Sequence, residues 1–135
     1  MPKLMVVDDD QLTRDFIKGF FEQRKYHVVT AESGEQALEF IPKEKPDLVL
    51  LDVNMGGMDG IETLKAIKKQ DRDIVVIMVT VASDDETRQR AQKYGADDFV
   101  TKPIYRDYLE GTVMLKVAAL IRERKNKDAA QNPHS

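Results

Sequence analysis

The chain has 135 residues and a mass of 15.4 kDa, the size of one ordinary domain that can bury a core without staples. Hydrophobic residues make up 41% and charged residues 33%, with no cysteine and a net charge of −3. These values argue against disorder, a disulfide or thiolate scaffold, and direct nucleic-acid binding. The two histidines, His27 and His134, are too few and too far apart for a His-rich metal site. No apolar stretch approaches the ~20 residues that span a bilayer. The apolar run at the start is too short for a signal peptide. A soluble, cytoplasmic protein without membrane contact is predicted.

In chain order, the first element is a strand, Lys3–Val7, running straight into Asp8, Asp9 and Asp10. Leu12, Phe16 and Phe20 then recur at i, i+4 and i+8, the spacing of a helix face. A second strand is predicted at His27–Ala31. Ser33 and Gln36 have the spacing of a capping box, and the helix they open carries Ala37, Leu38 and Ile41. The third strand is Asp47–Asp52. Asp59 and Glu62 open a third helix with Ile61, Leu64 and Ile67 on its inner face. The fourth strand is Ile74–Thr80, and Ser83 with Glu86 opens the next helix, Asp84–Lys93, which Gly95 ends. That helix carries no large apolar residue; Ala91 is its best core contact, with Tyr94 just beyond. It draws little stability from packing. It is either simply exposed or an element that moves. The fifth strand is Asp98–Thr101, and a last helix runs from about Tyr105 to Lys125. This helix has Gly111 in its interior and two apolar stripes, one of Leu109, Val113, Val117 and Leu120, the other of Met114, Ala118 and Ile121. One domain is predicted over residues 1–125, followed by a flexible C-terminal tail over 126–135.

Strict β-α alternation, with three of the five strands continuously apolar, implies a parallel sheet covered by helices, an α/β doubly wound fold with five strands and five helices. In such folds ligands bind at the carboxyl ends of the strands. Those ends carry Asp8 and Asp9, Asp52, Thr80 and Lys102. Carboxylates ~4 Å apart repel by about 4 kcal/mol at an effective dielectric of 20, so the cluster calls for a cation. Oxygen-only ligands select a hard divalent ion, Mg²⁺ or Mn²⁺. A carboxylate beside such an ion, an ammonium and a hydroxyl suits phosphate chemistry. Asp52 can attack phosphorus, while Lys102 and Thr80 hold the equatorial oxygens. Taken singly, each residue has a plainer role: Asp10 as a helix N-cap, Thr80 as strand, Lys102 as a solvated side chain. Their convergence carries the reading.

The segments Val6-Val-Asp-Asp9, Leu51-Asp-Val-Asn-Met-Gly-Gly-Met-Asp-Gly60, Val79-Thr80, Gly95-Ala-Asp-Asp-Phe99 and Lys102-Pro103 resemble the receiver domain of two-component response regulators, over about residues 3–122. The resemblance implies a flavodoxin-like sheet of strand order 2-1-3-4-5. It implies phosphoryl transfer from a histidine kinase or phosphotransfer protein to Asp52, with the domain catalysing only its own phosphorylation and slow dephosphorylation. By the same resemblance, Asp9 and Asp52 are direct metal ligands and Asp8 one through water, and Asn54 offers its backbone carbonyl. Thr80 is the switch hydroxyl, Lys102 its charge partner, and Phe99 the aromatic that swings inward on activation. The Lys102-Pro103 peptide is expected to be cis. The output surface is expected on helix 4, strand 5 and helix 5, meeting a downstream protein, an output domain or a second copy. Gly56, Val81 and Gly111 depart from the family pattern; the β-branched Val81 narrows access to the phosphoryl group.

Two other classes compete. A Mg-dependent phosphatase of the haloacid dehalogenase type also uses Asp, but needs a second acid where Asn54 stands. A flavodoxin-like FMN binder would want Ser, Thr and Gly in the first loop, where this chain has three aspartates.

Overall fold

Nearly every side chain of the third predicted strand disappears from solvent. Leu48, Val49 and Leu51 are fully buried, and Leu50 and Asp52 all but so. That pattern requires cover on both faces, and the computed structural model supplies it. The structure describes residues 2–54, 59–81 and 85–131, with side chains to 123 and at 126. The predicted loop around Gly56 and the N-cap at Ser83 lie outside the described residues.

The elements are β1 (Lys3–Val7), α1 (Gln11–Glu22), β2 (His27–Ala31), α2 (Gly34–Glu44), β3 (Leu48–Asp52), α3 (Gly60–Gln70), β4 (Val75–Val81), α4 (Asp85–Lys93), β5 (Asp98–Lys102) and α5 (Arg106–Gln131). All pairings are parallel, in the order β2-β1-β3-β4-β5. Alternate residues of the strands face opposite layers. Met5, Val7, Val49, Leu51, Val76 and Met78 join one cluster with Ala37 and Ile41 of α2, Ile61, Leu64 and Ile67 of α3, and Ala91 of α4. Leu4, Val6, Leu50 and Ile77 are equally buried but point to the other layer, where α1 lies.

The chain forms two compact units, Met1–Pro103 and Ile104–Ser135. Within the second, Leu109, Val113, Val117 and Leu120 of α5 are buried, whereas Met114, Leu115 and Ile121 are exposed. The two predicted stripes therefore differ: one is core and one is surface. The helix also continues beyond Lys125, where its polar composition predicts an end. Ala129 and Ala130 are strong helix formers, and no breaker precedes Pro133.

One predicted face needs correcting. Leu12 is 79% exposed and Phe16 only partly covered; the core side of α1 is Ile17, Phe20 and Phe21. A periodic stripe gives the period but not the phase, and α1 carries two overlapping apolar stripes. The predicted caps hold at Ser33, whose side chain accepts from Gln36 N, and at Asp59, whose side chain accepts from Glu62 N. Gln36 differs in detail, accepting from the N–H of Glu32 rather than of the cap itself. Gly95 has φ +100°, and Ala96 N–H donates to the Ala91 carbonyl, the left-handed helix ending its position suggests. α4 buries Ala91 alone, as its composition predicts.

Two glycines behave oppositely. A Cβ on Gly60 would lie 2.6 Å from the Asp52 carbonyl oxygen and 2.6 Å from Val53 Cα, both backbone atoms. A Cβ on Gly111 would meet nothing within 4 Å. Gly60→Ala is therefore expected to destabilise the chain by about 1–3 kcal/mol through overpacking. Gly111→Ala should stabilise it by about 0.5–1 kcal/mol. Chemical denaturation of both variants checks the pair, and equal signs would contradict the geometry.

Candidate functional site

The register of the sheet determines which side chains meet. Val7 pairs with Ala31 and Leu51, Asp52 with Val79, Thr80 with Thr101, and Val81 with Lys102. The carboxyl ends of β1, β3, β4 and β5 thus lie side by side. Asp8, Asp9 and Asp52 each place a carboxylate oxygen within 4.8 Å of the others. Lys102 Nζ lies 3.2 Å from Asp52 Oδ1. The peptide that follows, Lys102-Pro103, is cis.

The two buried carboxylates are each held by local backbone. Asp8 Oδ1 accepts the N–H of Asp10 at 2.9 Å, and Asp52 Oδ1 accepts the N–H of Asn54 at 3.2 Å. Asp10 turns out to be the N-cap of α1: its carboxylate accepts from Thr13 N at 3.1 Å and Thr13 Oγ1 at 2.6 Å. Those two bonds hold its carboxyl below the usual range, which commits it to the helix rather than to the cluster. Asp8 and Asp52 are 4% and 2% exposed, while Asp9 and Asn54 are open to solvent.

Thr80 is 1% exposed, and its Oγ1 has no hydrogen-bond partner among the described residues. A buried hydroxyl left in this way costs about 1–3 kcal/mol. Phe99, on β5, is half-buried against the main core cluster, with Arg88 of α4 at 5.6 Å from its ring centre. Val81, next to Thr80, is 42% exposed. The structure thus brings together Asp8, Asp9, Asp52 and Lys102, and sets Thr80 beside them in the sheet.

A further residue belongs to this environment. Arg14 Nη1 donates to the backbone carbonyl of Asp8 at 2.7 Å. A bond from a side chain to a main-chain oxygen leaves no motif in a sequence, so periodicity and residue type give no sign of it.

The oxygen-only donor set, two members of it buried, fits a hard divalent cation. Residues 4–114 match the response regulator receiver domain family. The transcriptional regulatory protein AfsQ1 of Streptomyces coelicolor is 33% identical over 132 residues, 96% of this chain and 56% of that protein. Sporulation initiation phosphotransferase F of Bacillus subtilis is 38% identical over 111 residues, 82% of this chain and 90% of that protein. Among solved structures, NtrX from Brucella abortus superposes with a TM-score of 0.88 at 31% identity, covering 94% of this chain and 29% of that one. The chemotaxis protein CheY4 of Vibrio cholerae gives 0.81 at 30% identity, covering 84% of this chain and 97% of that one. The chain spans only 31% to 56% of the length of the first curated relatives it matches. Among the described residues, no helix is long and apolar enough to cross a membrane.

Burial is the largest influence on both inner carboxyls, and it pushes Asp8 and Asp52 above the usual carboxylate range; Lys102 and backbone N–H groups offset part of this. The folded chain therefore binds protons more tightly at these sites than the unfolded chain does. With more protons on the native state, stability falls as pH rises from the ordinary carboxylate pKa through the raised one. The strain grows as pH rises through that window. Asp52→Asn should then melt at a higher temperature than the wild type in metal-free buffer at pH 7, with the gap closing towards pH 4. Thermal melts across that range check this; a lower melting temperature for the variant at pH 7 would count against it.

Proposed function

Since the chain belongs to the response regulator receiver domain family, we propose that it is a phosphorylation-controlled switch with Asp52 as its phosphoryl acceptor. The observation that carries this reading is the buried Asp52 carboxylate, with Lys102 Nζ at 3.2 Å and two more carboxylates within 4.8 Å. Asp8, Asp9 and Asp52, with the backbone carbonyl of Asn54, would hold Mg²⁺ or Mn²⁺. When bound, the cation would neutralise charge on the carboxylates and on the transferred phosphoryl group.

The chain's own groups do the rest. An Asp52 oxygen attacks phosphorus in line, and the phosphorus–nitrogen bond of a phosphohistidine donor breaks, its electron pair returning to the imidazole nitrogen. Lys102 gives up its bond to Asp52 for one to a phosphoryl oxygen. The Thr80 hydroxyl, with no partner among the described residues, donates to another. Its movement towards the acceptor frees space that the half-buried Phe99 can enter. That displacement changes the surface of β5 and α4, and α4 follows at low cost because Ala91 alone anchors it. The exposed Met114, Leu115 and Ile121 of α5 support a partner-facing role for that helix too. The donor would be a histidine kinase or phosphotransfer protein in the cytoplasm. The receiver of the signal would be a downstream protein, an output domain or a second copy. Phosphatase turnover of the haloacid dehalogenase kind gains no support: Asn54 cannot protonate a leaving group.

Acetyl phosphate with Mg²⁺ is expected to add one phosphoryl group to the wild type and none to Asp52→Asn, as read by intact mass spectrometry. Equal labelling of the variant would remove Asp52 from its role. Val81, beside Thr80 and partly exposed, stands where both the phosphodonor and the hydrolytic water must approach. Val81→Ala should accelerate autophosphorylation and dephosphorylation together, about severalfold, in radiolabel decay measurements. Unchanged rates in both directions would rule out the steric account.

A further inference from the structure

Asp8 is tied at three points. Its N–H donates to the Ala31 carbonyl of β2 at 3.1 Å, and its carboxylate accepts from Asp10 N–H at 2.9 Å. Its own carbonyl accepts from Arg14 Nη1 at 2.7 Å. The first two bonds are made by main-chain donors that any residue would provide. The third depends on one side chain, six residues further along and one turn into α1.

That third bond holds more than Asp8. The carbonyl of Asp8 and the N–H of Asp9 share one planar peptide unit. Fixing the direction of the oxygen fixes the plane, and with it the position from which the Asp9 side chain departs. Asp9 needs such help. It is exposed, and its carboxylate makes no hydrogen bond among the described residues. Arg14 is itself anchored, because its backbone N–H donates to the Asp10 carbonyl at 3.1 Å. Main chain and side chain of Arg14 thus close the Asp8–Arg14 loop from both ends.

We propose that Arg14 is a positioning residue for the acidic cluster, holding the Asp8–Asp9 peptide so that the exposed Asp9 carboxylate stays aimed at the point where a divalent cation would bind. The proposal rests on the reading of Asp8, Asp9 and Asp52 as a cation site. It makes a prediction opposite in sign to the simplest alternative. If Arg14 acted only as a nearby positive charge, it would repel a cation, and its removal would tighten binding. If it acts by holding the peptide, its removal loosens the ligands and weakens binding.

The test is Mn²⁺ affinity of the full chain, measured by electron paramagnetic resonance of free Mn²⁺ for the wild type, Arg14→Gln and Arg14→Lys. Arg14→Gln is expected to weaken Mn²⁺ binding about tenfold, the low end for residues that orient metal ligands. Arg14→Lys, which keeps a cationic donor on one nitrogen, should recover part of the loss. Amide NMR of the metal-free Arg14→Gln chain should show shifts concentrated at Asp8–Asp10. Unchanged or tighter Mn²⁺ binding by Arg14→Gln would overturn the proposal. So would shifts spread throughout β1 and α1, which would signal a general loss of structure. Labelling by acetyl phosphate at saturating Mg²⁺ separates the two readings. A wild type that never labels at Asp52 would count against the phosphoacceptor role, whatever the Mn²⁺ affinities. Intact labelling with unaltered Mn²⁺ affinity in Arg14→Gln would reject Arg14 alone.

Discussion

Like charges forced together by a parallel sheet are the condition to which the rest of this molecule answers. Asp52 cannot withdraw from the cluster, because β3 is buried on both faces and is paired in parallel with β1 on one side and β4 on the other. Asp8 is bound to β2 by its own N–H. The carboxylates are therefore held close by interactions far stronger in sum than their mutual repulsion, about 4 kcal/mol for a pair ~4 Å apart at an effective dielectric of 20. Backbone N–H groups and Lys102 offset part of this from within, and the Lys102 side chain is 38% exposed, so water screens part of its effect. The site is built for incoming positive charge, and the fold bears the cost until such charge arrives.

The unmet Thr80 hydroxyl is the second reserve of the same kind. A buried oxygen without a partner is unfavourable in the resting arrangement. Any event that delivers an acceptor nearby relieves it. Carboxylate repulsion and the orphaned hydroxyl therefore act in one direction: a cation relaxes the first, an oxyanion the second, and both together relax both.

Much of this was legible beforehand. The β-like runs located all five strands to within a residue at either end; those of β1, β3 and β4 are continuously apolar, because strands covered on both faces leave few polar positions to blur the pattern. Strand alternation then gathered Asp8, Asp9, Asp52 and Lys102, since residues at the ends of parallel strands must lie at one edge. What stayed hidden has physical causes. The phase of α1 was misread through Leu12, because Ile17, Phe20 and Phe21 repeat just as well as Leu12, Phe16 and Phe20. The extent of α5 was underestimated because polar residues do not end a helix unless a breaker stands among them. Arg14 was invisible because the atom it binds is a main-chain oxygen, identical in every residue. The lack of a partner at Thr80 is a fact about three-dimensional surroundings, which no spacing encodes.

α4 has a consequence for how such a protein can change over generations. A helix whose attachment to the core is one alanine methyl contributes little to the free energy of folding, and its remaining surface answers to almost no packing constraint. Substitutions at Glu86, Gln89, Arg90, Gln92 or Lys93 can alter what a neighbouring molecule encounters while the sheet and the acidic cluster are untouched. Duplicate copies of such a gene can thus diverge in what they recognise without first acquiring compensating mutations in the core. A weakly anchored helix is readily rewritten, so parallel circuits in one cell can share a single chemistry and still remain insulated from one another.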